Sequence, residues 1–466
     1  MKTIFFFLMM LSASFVFSQI GNTTITFNDP TRTGGFGSGG GAGRQIQCEI
    51  YYPAASNAAN VPVVGTNLPV LVFGHGFVMG WDSYTNLWEY YVPKGYILVF
   101  PRTEGSFSPV HADFGKDLAL VADTMKKLND LSGSLFFQKL NKRVAVMGHS
   151  MGGGSSILAA QNKTIGQINT IVNFAAAVTN PSSVTAGQNI SIPSFVIAAQ
   201  NDCVAPPAEH QILEYDSLFS AVKMYAEIKG GGHCYFANTN FNCSFGEGTC
   251  SPNPTISRVQ QQDAAQYYAL LWLNYYLKDN CADWKTLNDS VGISPRISSF
   301  KRSYTYPTTA TISQNGTLLE VSGTYSSYQW FYNNSLIPGA NGPSIQPTNS
   351  GNYYCQVTNQ SNCTITSNTI NYIATAIKGT IIDGENRLYP NPFNKTLFIN
   401  SLINSNKVEQ VVISDLTGKT LIQQKINFKI DNQGFIEINT VNLESGIYFV
   451  NIISSSNKLS YKVVKE

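Results

Sequence analysis

The chain has 466 residues, of which 43% are hydrophobic and 12% are charged, and its formal net charge is +2. This length allows about two to four domains, whereas the charged fraction is only about half of the usual share. The net charge is close to zero and the sequence contains no long basic run. It therefore lacks the clustered basic residues that are typical of nucleic-acid-binding proteins.

Residues 1–18 have the features of a secretory signal peptide. Lys2 precedes an apolar core, Ile4–Met10, and the small residues Ser14 and Ser18 stand near the end. We therefore predict that residues 1–18 direct export and are removed from the mature protein. No later stretch is apolar over the length that a membrane span needs, so no transmembrane segment is expected.

Short apolar runs alternate with runs of helical spacing over residues 19–290, which we predict to form one domain. Strands are expected at Gln45–Tyr52, Pro69–Phe73, Tyr96–Phe100, Val144–Met147, Ile168–Ala176, Ser194–Ala199 and Lys223–Ile228. Helices are expected at Trp81–Tyr91, Asp113–Leu128, Gln211–Phe219 and Asp263–Leu277, with another directly after Ser150. This alternation predicts an α/β fold with a doubly wound, mostly parallel sheet covered on both faces.

The segment Lys142–Ser156 joins a buried strand to a helix through a glycine-rich turn. Gly148-His149-Ser150-Met151-Gly152 fits the G-x-S-x-G pattern, which presents a serine hydroxyl on a sharp strand-to-helix turn. A turn of this kind can also bind phosphate, but no G-K-[ST] follows to supply the lysine and the magnesium ligand. We therefore predict that Ser150 is a nucleophile.

A serine nucleophile needs a base, and the base needs a carboxylate to orient it. The chain offers His75, His111, His149, His210 and His233. His233 follows the last strand on a glycine-rich loop, His149 is expected to point away from the serine, and His111 and His210 are expected at exposed positions. Asp202 follows the strand Ser194–Ala199, whereas its rival Asp216 lies on a helical run. The predicted triad is Ser150, Asp202 and His233.

Two backbone N–H groups are expected to stabilise the oxyanion of an attacked carbonyl. One is that of Met151, directly after the nucleophile, and the other is that of Phe77, in the turn after an earlier strand. Substrate contacts are expected at Phe77, Trp81, Met151 and Val178. The predicted chemistry needs neither a cofactor nor a metal ion.

Eight cysteines follow the predicted signal peptide, and an even number in an exported chain favours disulfides. There is no C-x-x-C pair, which argues against zinc. Cys203 and Cys234 each follow a predicted triad member, so a bond between them would tie the two loops together. The other pairs would then be Cys243–Cys250 and Cys48–Cys281, although connectivity cannot be deduced from sequence alone.

The composition changes after Asp289. Residues 291–308 are rich in serine and proline, which predicts a linker, and residues 309–378 contain short alternating strands around Trp330. This pattern predicts an immunoglobulin-like β-sandwich with Trp330 in its core. Cys355 and Cys363 are close in sequence, so a bond between them would staple a hairpin. Residues 385–466 are expected to form a β-rich domain without a catalytic role.

Residues 21–289 resemble α/β-hydrolases of the dienelactone-hydrolase and chlorophyllase type, and most resemble bacterial cutinases and poly(ethylene terephthalate) hydrolases. The resemblance rests on GHGFVM (74–79), VMGHSMGGGSS (146–156), QNDCVAPP (200–207) and IKGGGHCYF (228–236). It implies the same triad, Ser150, Asp202 and His233, with Phe77 and Met151 at the oxyanion hole and the first substrate subsite. The family commonly has tyrosine in place of Phe77, and often a tryptophan where this chain has Ala177-Val178-Thr179.

Residues 389–466 resemble the C-terminal sorting domain of the type IX secretion system. The resemblance rests on the opening Y-P-N-P-F at 389–393, on D-x-x-G-K at 415–419 and on L-x-x-G-I-Y-F at 443–449. It implies export across the outer membrane by that machinery, removal of the domain, and a secreted or surface-attached mature protein.

Together these features predict a secreted, monomeric serine ester hydrolase that resembles cutinases and polyesterases and works through an acyl-Ser150 intermediate. A hydrolase of small or lipid-like esters is the alternative within the enzymes. An exported adhesin with an inactive hydrolase unit is the alternative from another class, although the intact Ser150, Asp202 and His233 argue against it.

Overall fold

The computed structural model describes residues 19–161, 167–304, 310–359, 363–374, 386–401, 408–426, 435–454 and 458–466. The predicted signal peptide lies outside the described residues. The chain divides into two compact units. The first contains the described residues up to Thr311 together with Gly323–Ser327 and Gln356–Ser367, and the second contains Ile312–Ser322, Tyr328–Cys355 and the described residues from Asn368 to Glu466.

A mixed ten-stranded sheet organises the first unit. Its strands are β1 (Gln19–Asp29), β2 (Gly35–Phe36), β3 (Arg44–Ala54), β4 (Leu68–Gly74), β5 (Ile97–Pro101), β6 (Leu140–His149), β7 (Thr170–Phe174), β8 (Ser194–Ala199), β9 (Lys223–Ile228) and β10 (Ile297–Arg302). Their order is β1-β3-β5-β4-β6-β7-β8-β9-β10, and β2 pairs with β3. The six strands from β5 to β9 in this order are parallel, and β1, β3 and β10 run antiparallel to their neighbours.

Helices cover this sheet. They are α1 (Thr85–Tyr91), α2 (His111–Leu128), α3 (Met151–Gln161), α4 (Ser183–Gly187), α5 (Gln211–Ser217), α6 (Phe241–Glu247), α7 (Arg258–Lys278) and α8 (Cys281–Ser290). Short 3-10 turns occur at Trp81–Tyr84, Val92–Lys94, Cys234–Phe236 and Val291–Ile293. No helix among the residues placed in the structure has the length and apolar character to cross a membrane.

The central strands are buried on both faces, as the apolar runs in the sequence predict. In β4, Leu71 and Phe73 belong to the same core as Trp272 of α7, whereas Val70 and Val72 belong to the core that contains Phe114 of α2. Since side chains alternate along a strand, the two cores lie on opposite faces of the sheet. The prediction of an α/β fold with a largely parallel, two-sided sheet is confirmed.

The prediction of a linker over residues 291–308 is wrong for its first part. Strand β10 adds to the edge of the sheet, where Phe300 is opposite Ala226 and Arg302 is opposite Met224 of β9. An edge strand exposes one side to solvent and tolerates a polar composition, which explains why the serine-rich sequence looked like a linker. The last residues of the predicted linker, 305–308, lie outside the described residues.

Two small sheets follow. One contains β11 (Thr311–Asn315), β12 (Leu318–Ser322) and β15 (Ser344–Ile345), and the other contains β13 (Ser327–Tyr332), β14 (Ser335–Leu336), β16 (Gly351–Thr358), β17 (Thr364–Thr366) and β18 (Ile370–Tyr372). Trp330 is fully buried, and its indole N–H donates to the carbonyl of Gly342 over 3.0 Å. The predicted core position of this tryptophan is confirmed, while the immunoglobulin-like assignment stays a prediction.

The C-terminal region is β-rich, as predicted. One sheet contains β19 (Asn386–Tyr389), β20 (Thr396–Ser401) and β23 (Phe435–Asn439), and the other contains β21 (Val408–Ser414), β22 (Thr420–Lys425), β24 (Gly446–Ser454) and β25 (Lys458–Lys465). Buried residues from both sheets, among them Leu397, Ile399, Val411 and Val450, form one core.

The predicted pairs Cys48–Cys281 and Cys355–Cys363 are wrong, because Cys281 is bonded to Cys363. Cys48 belongs to the core under α2, whereas Cys281 packs against the core on the other face of the sheet, so the two thiols cannot meet. In the second case, the register of β16 and β17 places Thr358 opposite Thr364. Cys363 therefore lies opposite residue 359 and too far along the hairpin from Cys355.

Candidate active site

Ser150 lies in the sharp turn between β6 and α3 and is buried. Its φ angle of 56° falls in the left-handed region, which a side-chain-bearing residue adopts only when its surroundings enforce it. Close packing explains the flanking glycines, because a Cβ on Gly148 would overlap the backbone of Gly152 and one on Gly152 would overlap the carbonyl of Gly74. The strand–turn–helix context predicted from the sequence is present.

Asp202 and His233 are in direct contact. The His233 Nδ1–H group donates to Asp202 Oδ2 over 2.7 Å, and both side chains are buried. The other carboxylate oxygen accepts the N–H groups of Val204, over 3.0 Å, and Ala205, over 2.8 Å. With its proton on Nδ1, His233 has an unprotonated Nε2 that can act as a base.

The sheet order brings the three predicted triad residues to one edge. Ser150 follows β6, Asp202 follows β8 and His233 follows β9, and these strands belong to the parallel part of the sheet. The carboxyl ends of parallel strands are where α/β sheets place their functional groups. The His233 ring packs against that of His149, next to Ser150 in the chain, with 4.8 Å between the ring centres.

Two buried side chains that the sequence analysis did not predict hold the backbone around His233. Gln261 Oε1 accepts the Gly232 N–H over 2.8 Å, and its amide Nε2 donates to the Gly232 carbonyl over 2.7 Å. On the other side, Glu247 Oε1 accepts the Cys234 N–H over 3.1 Å. Both contacts join residues distant in sequence, so no local pattern could have revealed them.

Two disulfides fasten the loops of Asp202 and His233 to the region of α6. Cys203 is bonded to Cys250, and Cys234 is bonded to Cys243. The predicted pairs Cys203–Cys234 and Cys243–Cys250 are therefore wrong. Cys203 Sγ lies 3.7 Å from the carbonyl oxygen of Glu247, so Cys203 is at the C-terminal end of α6. Cys234 is instead bonded to Cys243, in the first half of the same helix.

A cavity of about 370 Å³ opens beside Ser150. Its lining residues are Phe77, Pro109, His111, Ser150, Met151, Ala177, Val178 and Thr179. The structure thus brings Phe77, Met151 and Val178 together with Ser150, as the sequence analysis expected. Trp81 is not among the lining residues, because its ring packs against Tyr51 and Trp88 with centroid distances of 6.0 and 5.8 Å. Pro109 and His111 were not predicted, although they follow strand β5 at the same sheet edge.

The two predicted oxyanion donors have different surroundings. Met151 is the first residue of α3, where backbone N–H groups have no acceptor within the helix. Phe77 lies in the turn after β4 with 48% of its side chain exposed, and its ring meets that of Phe107 edge to face at 6.3 Å. Both residues line the cavity together with Ser150.

A chain of buried hydrogen bonds connects the turn before Phe77 to the loop of His233. Gly76 N–H donates to the Tyr84 hydroxyl over 2.8 Å, and that hydroxyl lies 3.0 Å from His149 Nδ1. His149 Nε2 lies 2.9 Å from the carbonyl oxygen of His233. Burial, reinforced by the neighbouring His233, holds the pKa of His149 well below its usual value. His149 is therefore neutral, donates from Nε2 and accepts the Tyr84 proton at Nδ1.

Over the described ranges, no three histidine, cysteine or acidic side chains are grouped so that they could hold a metal ion. The candidate active site offers a serine hydroxyl, a histidine oriented by a carboxylate, two candidate oxyanion donors and an adjoining cavity. These are the groups that acyl transfer through a covalent serine intermediate requires.

The sequence matches two families. Residues 12–249, just over half of the chain, match a family described as PET hydrolase-like. Residues 387–466 match the secretion system C-terminal sorting domain.

Similar proteins include two cutinases from Thermobifida. Cutinase 2 of Thermobifida cellulosilytica is 26% identical over 46% of this chain and 73% of its own length. Cutinase cut1 of Thermobifida fusca is 26% identical over 46% of this chain and 60% of its own length. The bis(hydroxyethyl) terephthalate hydrolase of Streptomyces coelicolor is 24% identical over 50% of this chain and 62% of its own length. The chain thus spans between 60% and 73% of the lengths of these relatives.

Proposed function

The chain belongs to the PET hydrolase-like family and carries a type IX sorting domain that places it outside the cell or on its surface, and on this premise we propose that it is a serine hydrolase of carboxylic esters, polyesters included. The observation that carries the proposal is the 2.7 Å contact between Asp202 and His233. It lies at the sheet edge where the strained Ser150 borders a cavity.

In the proposed mechanism, His233 Nε2 removes the proton of Ser150 as Oγ attacks the ester carbonyl carbon. Asp202 holds the Nδ1–H tautomer and stabilises the imidazolium without taking the proton. The backbone N–H groups of Phe77 and Met151 stabilise the oxyanion. The tetrahedral intermediate expels the alcohol, which receives the proton from His233. A water molecule activated by the same histidine then releases the acid from Ser150.

The residues that line the cavity suit an apolar acyl group of modest size. The wall beside Ser150 consists of the small residues Ala177, Val178 and Thr179, and the half-exposed Phe77 ring stands at its side. An aromatic diacid unit fits these contacts, and one relative is named for an ester of terephthalate. Because no tryptophan stands in this wall, small soluble esters remain the competing substrate class.

We further propose how the chain is organised. The signal peptide comprises residues 1–18, and the catalytic domain extends through β10 to Arg302. Residues 309–378 form an immunoglobulin-like spacer, which the two small sheets and the buried Trp330 support. Residues 385–466 are the sorting domain. All candidate site residues come from one chain, so the enzyme is proposed to act as a monomer.

The test uses the chain without its predicted signal peptide, residues 19–466, on an amorphous aromatic polyester film and on a short-chain nitrophenyl ester. Ser150→Ala is expected to abolish hydrolysis of both, and Asp202→Asn to lower kcat by on the order of 10⁴. Hydrolysis of the nitrophenyl ester alone would assign the protein to small esters. Activity that survives in Ser150→Ala, or no activity of the wild type on either substrate, would contradict the proposed function.

A further inference from the structure

The imidazoles of two histidines accept hydrogen bonds from the backbone of one wall of the cavity. The Val178 N–H group donates to His210 Nδ1 over 3.0 Å, and the Asn180 N–H group donates to His111 Nδ1, also over 3.0 Å. His111 is the first residue of α2, and His210 directly precedes α5. The segment 177–180, which we term the acyl wall, is thus held from two sides.

Other hydrogen bonds hold Ala177 and Thr179 of the same segment. Its first residue is joined to the elbow, because the Ala177 N–H group donates to the Ser150 carbonyl over 2.9 Å. The Thr179 N–H group makes a longer bond of 3.3 Å to Ser183 Oγ. Thr179 is buried and its hydroxyl donates to the Pro181 carbonyl over 2.7 Å, so packing helps to fix that residue. The histidines instead hold the backbone N–H groups of Val178 and Asn180.

We propose that His111 and His210 are positioning residues that hold the acyl wall against the substrate, and that they do so only as neutral imidazoles. The affinity of the site for substrate would then fall when the two histidines are protonated. This inference goes beyond ester hydrolysis itself, but its kinetic test rests on the proposed function.

The chemical reason is the donor and acceptor inventory of imidazole. A neutral ring has one nitrogen that accepts, whereas both nitrogens of an imidazolium donate. Since both wall contacts use Nδ1 as the acceptor of a backbone N–H, protonation would place two donors opposite each other. Each contact would be lost. The Val178 amide would be left without a partner in a part-buried place, whereas the exposed Asn180 amide would turn to water.

Burial leaves both histidines neutral at pH 7. Burial lowers the pKa of His111 below its usual 6.5, and only Glu104 acts in the opposite direction. Burial likewise lowers the pKa of His210; Asp202 and Glu209 oppose this effect, and His233 adds to it. Both wall contacts are therefore intact at neutral pH and are lost only as the pH falls through the lowered pKa values of the two histidines.

The decisive variants replace both histidines at once. In His111→Asn/His210→Asn the amide oxygen stands close to the place of Nδ1 and accepts the same N–H group, but it does not titrate. In His111→Ala/His210→Ala the acceptor is absent at every pH. The catalytic His233 is unchanged in both, so its contribution to the kinetics is common to all three proteins.

The first measurement is kcat and KM for a nitrophenyl ester between pH 5 and pH 8. KM of the wild type is expected to rise about tenfold towards pH 5, as two hydrogen bonds of ordinary strength are lost. The alanine variant should have a raised KM throughout, and the asparagine variant should recover most of the lost affinity and show a KM nearly independent of pH. A wild-type KM in the alanine variant at pH 8, or a wild-type pH dependence of KM in the asparagine variant, would overturn the proposal.

A second measurement does not depend on ester hydrolysis. Hydrogen–deuterium exchange of the amides of residues 177–180, corrected for the intrinsic effect of pH, should show protection in the wild type at pH 8 that is lost at pH 5. The asparagine variant should keep the protection at both values. If the wild type is equally protected at both pH values, the histidine attachment is rejected, even in a protein that hydrolyses no ester. If the protection depends on pH but the protein hydrolyses no ester, only the proposed function is rejected.

Discussion

The hydroxyl of Tyr84 lies 3.0 Å from His149 Nδ1, and this contact joins the two sides of the candidate active site. On one side the same hydroxyl accepts the N–H of Gly76, which precedes the candidate oxyanion donor Phe77. On the other side His149 donates to the carbonyl of His233. Tyr84 thus aligns the group that would stabilise the oxyanion with the group that would act as base, without touching the substrate.

Tyr84→Phe tests this alignment, because it removes the hydroxyl and keeps the ring. We expect kcat to fall about tenfold with a smaller change in KM, since two buried hydrogen bonds of about 1 kcal/mol each are lost around the catalytic geometry. The matched control is Tyr96→Phe, which removes a hydroxyl that donates to Asn274 over 2.7 Å. It should lower stability but leave kcat unchanged. A wild-type kcat in Tyr84→Phe would contradict the positioning role.

The two disulfides at α6 should contribute unequally to stability. Cys203–Cys250 closes a loop of 47 residues and Cys234–Cys243 one of 9. The chain-entropy relation then gives about 4 kcal/mol for the longer loop and about 2.5 kcal/mol for the shorter. Replacing both cysteines of a pair by alanine should reproduce this order in urea unfolding.

A control separates the loss of the cross-link from the loss of a buried thiol. Cys48 is buried and forms no disulfide, so Cys48→Ala should destabilise the protein by only about 1 kcal/mol. Hydrogen bonds from Gln261 and Glu247 also hold the loop of His233. We therefore expect kcat at 25 °C to fall by less than about tenfold in either double variant. An equal loss of stability in the two double variants would contradict the prediction.

Local patterns explain which parts of this site the sequence predicted. The apolar run before Ser150 and the glycines around it specify a strand, a turn and a helix within a few residues. Asp202 and His233 were predicted because each follows a recognisable strand. By contrast, His111 and His210 were predicted to be exposed, since the bonds that reveal their role join residues 69 and 32 positions apart. The predicted pairs Cys203–Cys234 and Cys243–Cys250 failed for the same reason, because the partners of these cysteines depend on where α6 packs.

Gly152→Ala should disrupt the elbow although alanine favours helices. An added Cβ would overlap the backbone of Gly74 and His75, which cannot move without shifting strand β4. We expect a loss of roughly 3 kcal/mol or more in unfolding free energy, as for other overpacked sites. Gly133→Ala is the control, because no atom lies within 4 Å of the added methyl group. That variant should stay within about 1 kcal/mol of the wild type, and a folded, fully active Gly152→Ala enzyme would refute the packing argument.

Glu214 makes stability depend on pH through burial rather than through an ion pair. Its side chain is fully buried, Oε1 accepts the Ser183 hydroxyl over 2.7 Å, and Oε2 has no hydrogen-bond partner among the described residues. Burial raises the pKa of this carboxyl from 4.5 to about 7. Below pH 4.5 both the folded and the unfolded chain hold the proton. Between pH 4.5 and 7 only the folded chain holds it, so the free energy of unfolding falls as pH rises and stays low above pH 7.

Glu214→Gln keeps an acceptor for Ser183 and removes the titration. The shift of about 2.5 pKa units corresponds to roughly 3 kcal/mol at most. Any cost of amide hydrogens without an acceptor is the same at both pH values and cancels when the two are compared. We therefore expect the stability of the variant relative to the wild type to rise by about 2–2.5 kcal/mol from pH 5 to pH 8 in urea unfolding. Glu89→Gln, at an exposed position of α1, should show no such difference. If Glu214→Gln and the wild type change by the same amount between the two pH values, the carboxyl is already charged at pH 5 and burial is not what controls it.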